Sequence, residues 1–157
     1  MIDAKRRILL KGSLAAGTVG VAVSAGLLTP RLVLGAWNEA AFTAKSVDDA
    51  LTNLLGSSEH EASEQIKIKA PDIAENGAVV PITVESDIES IDSVSIMAAG
   101  NQTPLVASFE LGKGAVGFVS TRIKMGKTAE VIAAVKTGDK VYSAAKEVKV
   151  TIGGCGG

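Results

Sequence analysis

The 157-residue chain carries 16 basic and 17 acidic side chains, a formal charge of −1, with 46% hydrophobic residues, one cysteine and one histidine. One Cys and one His cannot furnish the soft or imidazole ligands of a structural metal site, and a lone thiol cannot close a disulfide within its own chain. With neither a basic stripe nor a set of stacking aromatics, nucleic acid and anionic membrane are excluded as partners.

At the N-terminus, Lys5-Arg6-Arg7-Ile8-Leu9-Leu10-Lys11 sets paired arginines before short apolar residues, and an uncharged stretch runs from Gly12 to Pro30. That order reads as a bacterial export signal of the twin-arginine type, with Arg6 and Arg7 as its signature. The stretch is 19 residues, long enough to span a membrane, but its four glycines and four Ser/Thr residues make it only mildly hydrophobic. A signal over 1–36, cut near Gly35 and Ala36, is therefore expected, with the mature chain in the periplasm and free of the membrane. Removing it leaves 11 basic and 16 acidic groups, a formal charge of −5.

An N-terminal helical segment is expected over 37–63. Ser46 caps a helix with Asp49 three residues on, Asp48 and Asp49 sit in the first turn, and Gly56 stops it. Val47, Ala50, Leu51, Leu54 and Leu55 follow helical spacing.

From Gln65 the apolar period becomes two. Ile66 and Ile68, Val80 to Val84, and Val94 to Ile96 alternate with polar residues; further strand-like runs are Leu105–Leu111, Gly117–Met125, Ala129–Lys136 and Val141–Ile152. Turn signals separate them at Glu75-Asn76-Gly77, Ala99-Gly100-Asn101, Gly112-Lys113-Gly114, Lys124–Lys127 and Thr137-Gly138-Asp139. Gly112-Lys113-Gly114 lacks the length of a phosphate loop and reads as a hairpin turn. Seven strands without intervening helices predict an all-β fold, an immunoglobulin-like antiparallel β-sandwich over 64–152 with a short N-terminal helix.

The chain closes on Gly153-Gly154-Cys155-Gly156-Gly157. Glycine has the widest backbone freedom and no side chain to bury, so this arm presents its thiol instead of storing it. Three residues beyond Ile152, the sulfur reaches on the order of 10 Å from the sandwich, and a chain without side chains can thread a narrow cleft. Thiolates attack sulfur, and persulfides and disulfides are reversible. No basic residue lies closer in sequence than Lys149, so activation is expected from a visiting enzyme.

A twin-arginine signal, a small β-rich domain and a terminal Gly-Gly-Cys-Gly-Gly together resemble the SoxY family, the sulfur-carrier subunits of bacterial thiosulfate oxidation. The resemblance spans the whole chain, and the terminal pentapeptide is its most specific part. It implies covalent substrate attachment at Cys155, with Gly153, Gly154, Gly156 and Gly157 as a flexible arm and no catalysis or cofactor of the chain's own. It further implies a heterodimer with a SoxZ-like β-sandwich subunit. Transient visits are implied to a c-type cytochrome, a sulfate-releasing hydrolase and a sulfane dehydrogenase.

Other features are less specific. His60, among Glu59, Glu61 and Glu64, reads as a solvated loop rather than a partner for Cys155. Asp87, Glu89 and Asp92 lack calcium-loop spacing, and Asn101-Gln102-Thr103 is only formally a glycosylation sequon. Val116–Val119 and Val131–Val135 hold more apolar side chains than one small sandwich face needs, a sign either of an interface or of a well-filled core. The competing reading is an immunoglobulin-like binding or adhesion module with an incidental cysteine. A thiol reductant or peroxidase would want a resolving cysteine that is absent.

Overall fold

The computed structural model describes residues 38–151. The expected export signal, Arg6 and Arg7 included, and residues 152–157 lie outside the described residues.

Two helices open the domain: α1 (Glu39–Thr43) and α2 (Val47–Leu55). α2 forms where the spacing predicts it. Ser46 Oγ accepts from the Asp49 N–H at 3.0 Å, and Gly56 stops the helix in the left-handed region at φ 87°. α1 has no counterpart among the expected elements, because five residues are too few to show a helical period. The pair is tied by asparagines: Asn38 caps α1 by accepting from the Ala41 N–H and donates to the Asn53 carbonyl at 2.7 Å.

Nine strands follow: β1 (Glu61–Ala62), β2 (Ile66–Lys69), β3 (Ile73–Ala74), β4 (Val80–Ser86), β5 (Ser93–Ala98), β6 (Leu105–Glu110), β7 (Gly117–Ile123), β8 (Ala129–Thr137) and β9 (Lys140–Val150). They make a β-sandwich of immunoglobulin-like character. One sheet has the order β1-β9-β8-β5-β6, with β3 also on β9, and the other the order β2-β4-β7. The seven longer strands are the seven expected, and their ladders are antiparallel. The two-residue strands β1 and β3 add short parallel bridges along one edge of β9.

Between the sheets, Ile66, Val80, Ile82, Val84, Val119 and Ile123 face Val94, Ile96, Val131, Ala133, Val135 and Val148, all buried. Period-two alternation puts the partners of these residues on the outside of each sheet. On the small sheet that outside is solvated: Lys69 pairs with Glu85 at 2.6 Å, and the Thr83 and Ser120 hydroxyls meet at 2.9 Å. The outer face of the large sheet is covered instead. Ala41, Ala50 and Leu51 of the helices pack on Met97, Leu105, Ala134 and Val141.

That cover decides between the two readings of one run. The surplus apolar residues of Val131–Val135 are not a partner surface, because β8 is buried on both faces, Ala133 toward the sandwich core and Ala134 toward the helices. For the same reason all six residues of β5 are buried. Ser95, fully enclosed, spends its hydroxyl on Ser108 of the neighbouring strand at 3.1 Å. Within Val116–Val119, by contrast, Val119 enters the core while Val116 and Phe118 stay 76% and 53% exposed.

One correction concerns Gly112-Lys113-Gly114. It does not close a hairpin, since β6 pairs with β5 and β7 pairs with β4, and the segment crosses from one sheet to the other. Gly117, where the crossing lands, has no room for a side chain: a Cβ there would lie 2.5 Å from the Ser86 carbonyl oxygen and 2.6 Å from Ile91. Thr137-Gly138-Asp139 does join a hairpin, between β8 and β9, with Gly138 at φ 56°.

Candidate functional site

Cys155 and the glycines Gly153, Gly154, Gly156 and Gly157 lie outside the described residues, so the described geometry is that of the strand end leading toward them. β9 carries the chain to that place through eleven strand residues. Tyr142, Ala144, Val148 and Val150 point between the sheets, and Val148 is wholly buried. Lys146 shares their parity but carries its ammonium outward to the Ala70 carbonyl at 2.7 Å and Asp72 at 3.0 Å.

The final residues of β9 are held from two sides. On one side, the Lys149 N–H donates to the Asp72 carbonyl at 3.0 Å and the Thr151 N–H to the Ala74 carbonyl at 3.2 Å. On the other, the Val150 N–H donates to Thr128 Oγ1 at 2.9 Å. Gly77 completes the seat. Its carbonyl accepts from the Met125 N–H at 2.7 Å, and a Cβ on it would lie 2.8 Å from Val150 Cγ1. Val150 is thus locked in place, whereas Thr151, one residue on, is exposed. The chain leaves this rigid seat at the surface.

His60 and Asp92 lie at the opposite end of the sandwich, near the β8–β9 hairpin. His60 is exposed, but not merely solvated: its Nδ1 lies 2.8 Å from the hydroxyl of buried Ser143, which ties the segment before β1 to β9. Beside it a cleft of about 350 Å³ is lined by Glu59, Glu61, Lys136, Asp139 and Lys140. Asp92 serves the fold, accepting from the Gly138 N–H at 2.7 Å, and Asp87 pairs loosely with Lys67 at 3.8 Å. Thr137 Oγ1 donates to the carbonyl of Ser90, a non-glycine residue at φ 57°, at 3.0 Å. Among the described residues no group of three or more His, Cys, Asp or Glu side chains could hold a metal ion. Nor is any described helix long and apolar enough to cross a membrane.

Nothing in the sequence marks Thr128, or the turn residue Gly77, as holding the end of β9. A threonine before a strand and a glycine in a turn are commonplace, and only pairing across about twenty and seventy residues gives these two a shared task.

A family described as "Sulfur oxidation protein SoxY" matches residues 51–155, a span that runs from within α2 to Cys155. No curated protein matches the chain. Among solved structures, the sulfur carrier protein SoxY from Chlorobium limicola f thiosulfatophilum is 44% identical, with TM-score 0.63 over 68% of this chain and 97% of that one. A chain of the structure described as "Structural basis of T cell specificity and activation by the bacterial superantigen toxic shock syndrome toxin-1" reaches TM-score 0.39 at 12% identity, over 55% of this chain and 99% of that one. With two thirds of its residues inside the family match, and a SoxY structure covered almost end to end, the chain belongs to the SoxY family of sulfur oxidation proteins.

Proposed function

We propose that this SoxY-family sulfur carrier of thiosulfate oxidation holds its cargo covalently on Cys155 while other proteins act on it. The observation that carries the reading is the coincidence of two features. The family match ends on Cys155, and the chain is clamped as far as Thr151 before the glycines begin. A firm seat followed by a chain of minimal bulk suits a thiol that must enter active sites other than its own.

Loading is an oxidative coupling. The Cys155 thiol and thiosulfate join through a new S–S bond, releasing one proton and two electrons, which the visiting c-type cytochrome accepts. The product is a cysteine S-thiosulfonate. A hydrolase then adds water across the S–SO₃ bond, releasing sulfate and a proton and leaving a persulfide on Cys155. A sulfane dehydrogenase is the candidate to oxidise that remaining sulfur. The chain performs none of these steps; it is a carrier, not an enzyme.

The partner in a lasting assembly is a SoxZ-like β-sandwich subunit. Val116 and Phe118, exposed at the open edge strand β7, are the apolar residues that support such a contact. The setting is the periplasm, reached through the Arg6-Arg7 signal. An immunoglobulin-like adhesion module is not favoured, because family membership accounts for both the sandwich and the cysteine.

The test is the intact mass of protein purified without reductant from cells oxidising thiosulfate, before and after dithiothreitol, with fragmentation of the terminal peptide. Reducible sulfur-bearing adducts on Cys155 support the reading; an unmodified thiol throughout refutes it.

A further inference from the structure

An open cleft of about 600 Å³ lies between the β5–β6 and β7–β8 connections, lined by Ala99, Gly100, Asn101, Gln102, Thr103, Lys124, Gly126 and Lys127. Its lining contains two lysines and no carboxylate. Lys67, Lys69 and Lys146 each have an acidic partner; among the described residues Lys124 and Lys127 have none. Two lysines in the lining of one cleft, with no carboxylate beside them, give it a positive potential that favours an anion.

The cleft is built, not incidental. Asn101 spends its whole side-chain amide on joining the two walls: Nδ2 donates to the Lys124 carbonyl at 2.7 Å, and Oδ1 accepts from the Gly126 N–H at 2.9 Å. Lys127 is positioned by Gly100, since a Cβ on that glycine would lie 3.0 Å from Lys127 Cγ and 3.2 Å from its Cε. The lysine stem therefore rests on bare backbone. Gln102 and Thr103, which carry an amide and a hydroxyl, line the other wall.

From this arrangement we infer that the cleft is a binding site for a free tetrahedral oxyanion of sulfate or thiosulfate type, held by Lys124 and Lys127 without a covalent bond. Such an anion offers oxygens in several directions at once, which matches donors on both walls. The site adjoins the root of the arm, because Lys127 immediately precedes Thr128, whose hydroxyl holds Val150. It stands independently of what Cys155 carries.

The test is a titration of the purified, reduced protein with sodium sulfate, followed by amide NMR at constant ionic strength kept with sodium chloride. Saturable shifts confined to residues 99–103 and 124–128, with thiosulfate competing for the same site, are expected. The Lys124→Met/Lys127→Met variant keeps both apolar stems, so the fold is retained, and affinity should fall about tenfold or more. Non-saturating shifts, or equal affinity in the double variant, would overturn the inference. Acetate binding as tightly as sulfate would overturn it too, since the cleft would then read a carboxylate such as a partner's acidic side chain. Cys155→Ser should bind sulfate as the parent does, which separates this site from the carrier reading.

Discussion

Val150 and Thr128 are joined twice: the Val150 N–H donates to Thr128 Oγ1 at 2.9 Å, and the same hydroxyl lies 3.4 Å from the Val150 carbonyl it can donate to. One side chain just before β8 thereby holds the last residue of β9. Thr128→Val keeps the shape and removes both bonds. It should cost about 1 kcal/mol locally and raise amide exchange at Val150 roughly fivefold. Hydrogen exchange by NMR reads this directly; unchanged protection would mean that the Asp72 and Ala74 carbonyls suffice to hold the root.

The thiol itself is tested by Cys155→Ser and by deletion of residues 153–157. Both should abolish thiosulfate-dependent mass gain and turnover in the reconstituted system while leaving the urea midpoint where it was. Every described core residue lies upstream of the arm. Loss of folding on deletion would make the tail structural.

Helical cover of the large sheet can be probed at Leu51, which is 1% exposed between α2 and the sheet. Leu51→Ala should cost about 2–5 kcal/mol, the range for a buried leucine whose site cannot collapse. Urea unfolding measures it. A loss below about 1 kcal/mol would show the helices to be loosely attached.

Gly56→Ala separates backbone conformation from packing. A Cβ at Gly56 meets nothing within 4 Å, so the whole effect arises from φ 87°. About 1 kcal/mol of destabilisation is expected from forcing alanine into the left-handed region. Equilibrium unfolding should show it with an unchanged m-value.

Phe118→Ser should leave the isolated chain within about 0.5 kcal/mol of the parent, since the ring is half exposed on an edge strand. Co-elution with the co-expressed sandwich partner in size-exclusion chromatography should weaken. Unaltered co-elution would move the interface away from β7.

Much of this domain is legible in its amino-acid sequence, for a physical reason. Helix caps and period-two alternation are local, so Ser46, Gly56 and the seven longer strands can be read from neighbours a few residues apart. The glycine-flanked Cys155 is local in the same way, and the attachment site proposed for it comes from the sequence alone. Alternation does not say which strands pair, however. Whether Gly112–Gly114 turns a hairpin or crosses between sheets depends on contacts between distant segments, and only the fold decides it. Nor does a run such as Val131–Val135 reveal what covers its second face; the helices do that, and Ala134 is buried because Leu51 and its neighbours pack there. The pairing of Thr128 with Val150 and the meeting of Asn101 with the 124–127 connection at one cleft are likewise products of tertiary structure. Each depends on chain closure that brings together side chains with no common local signal.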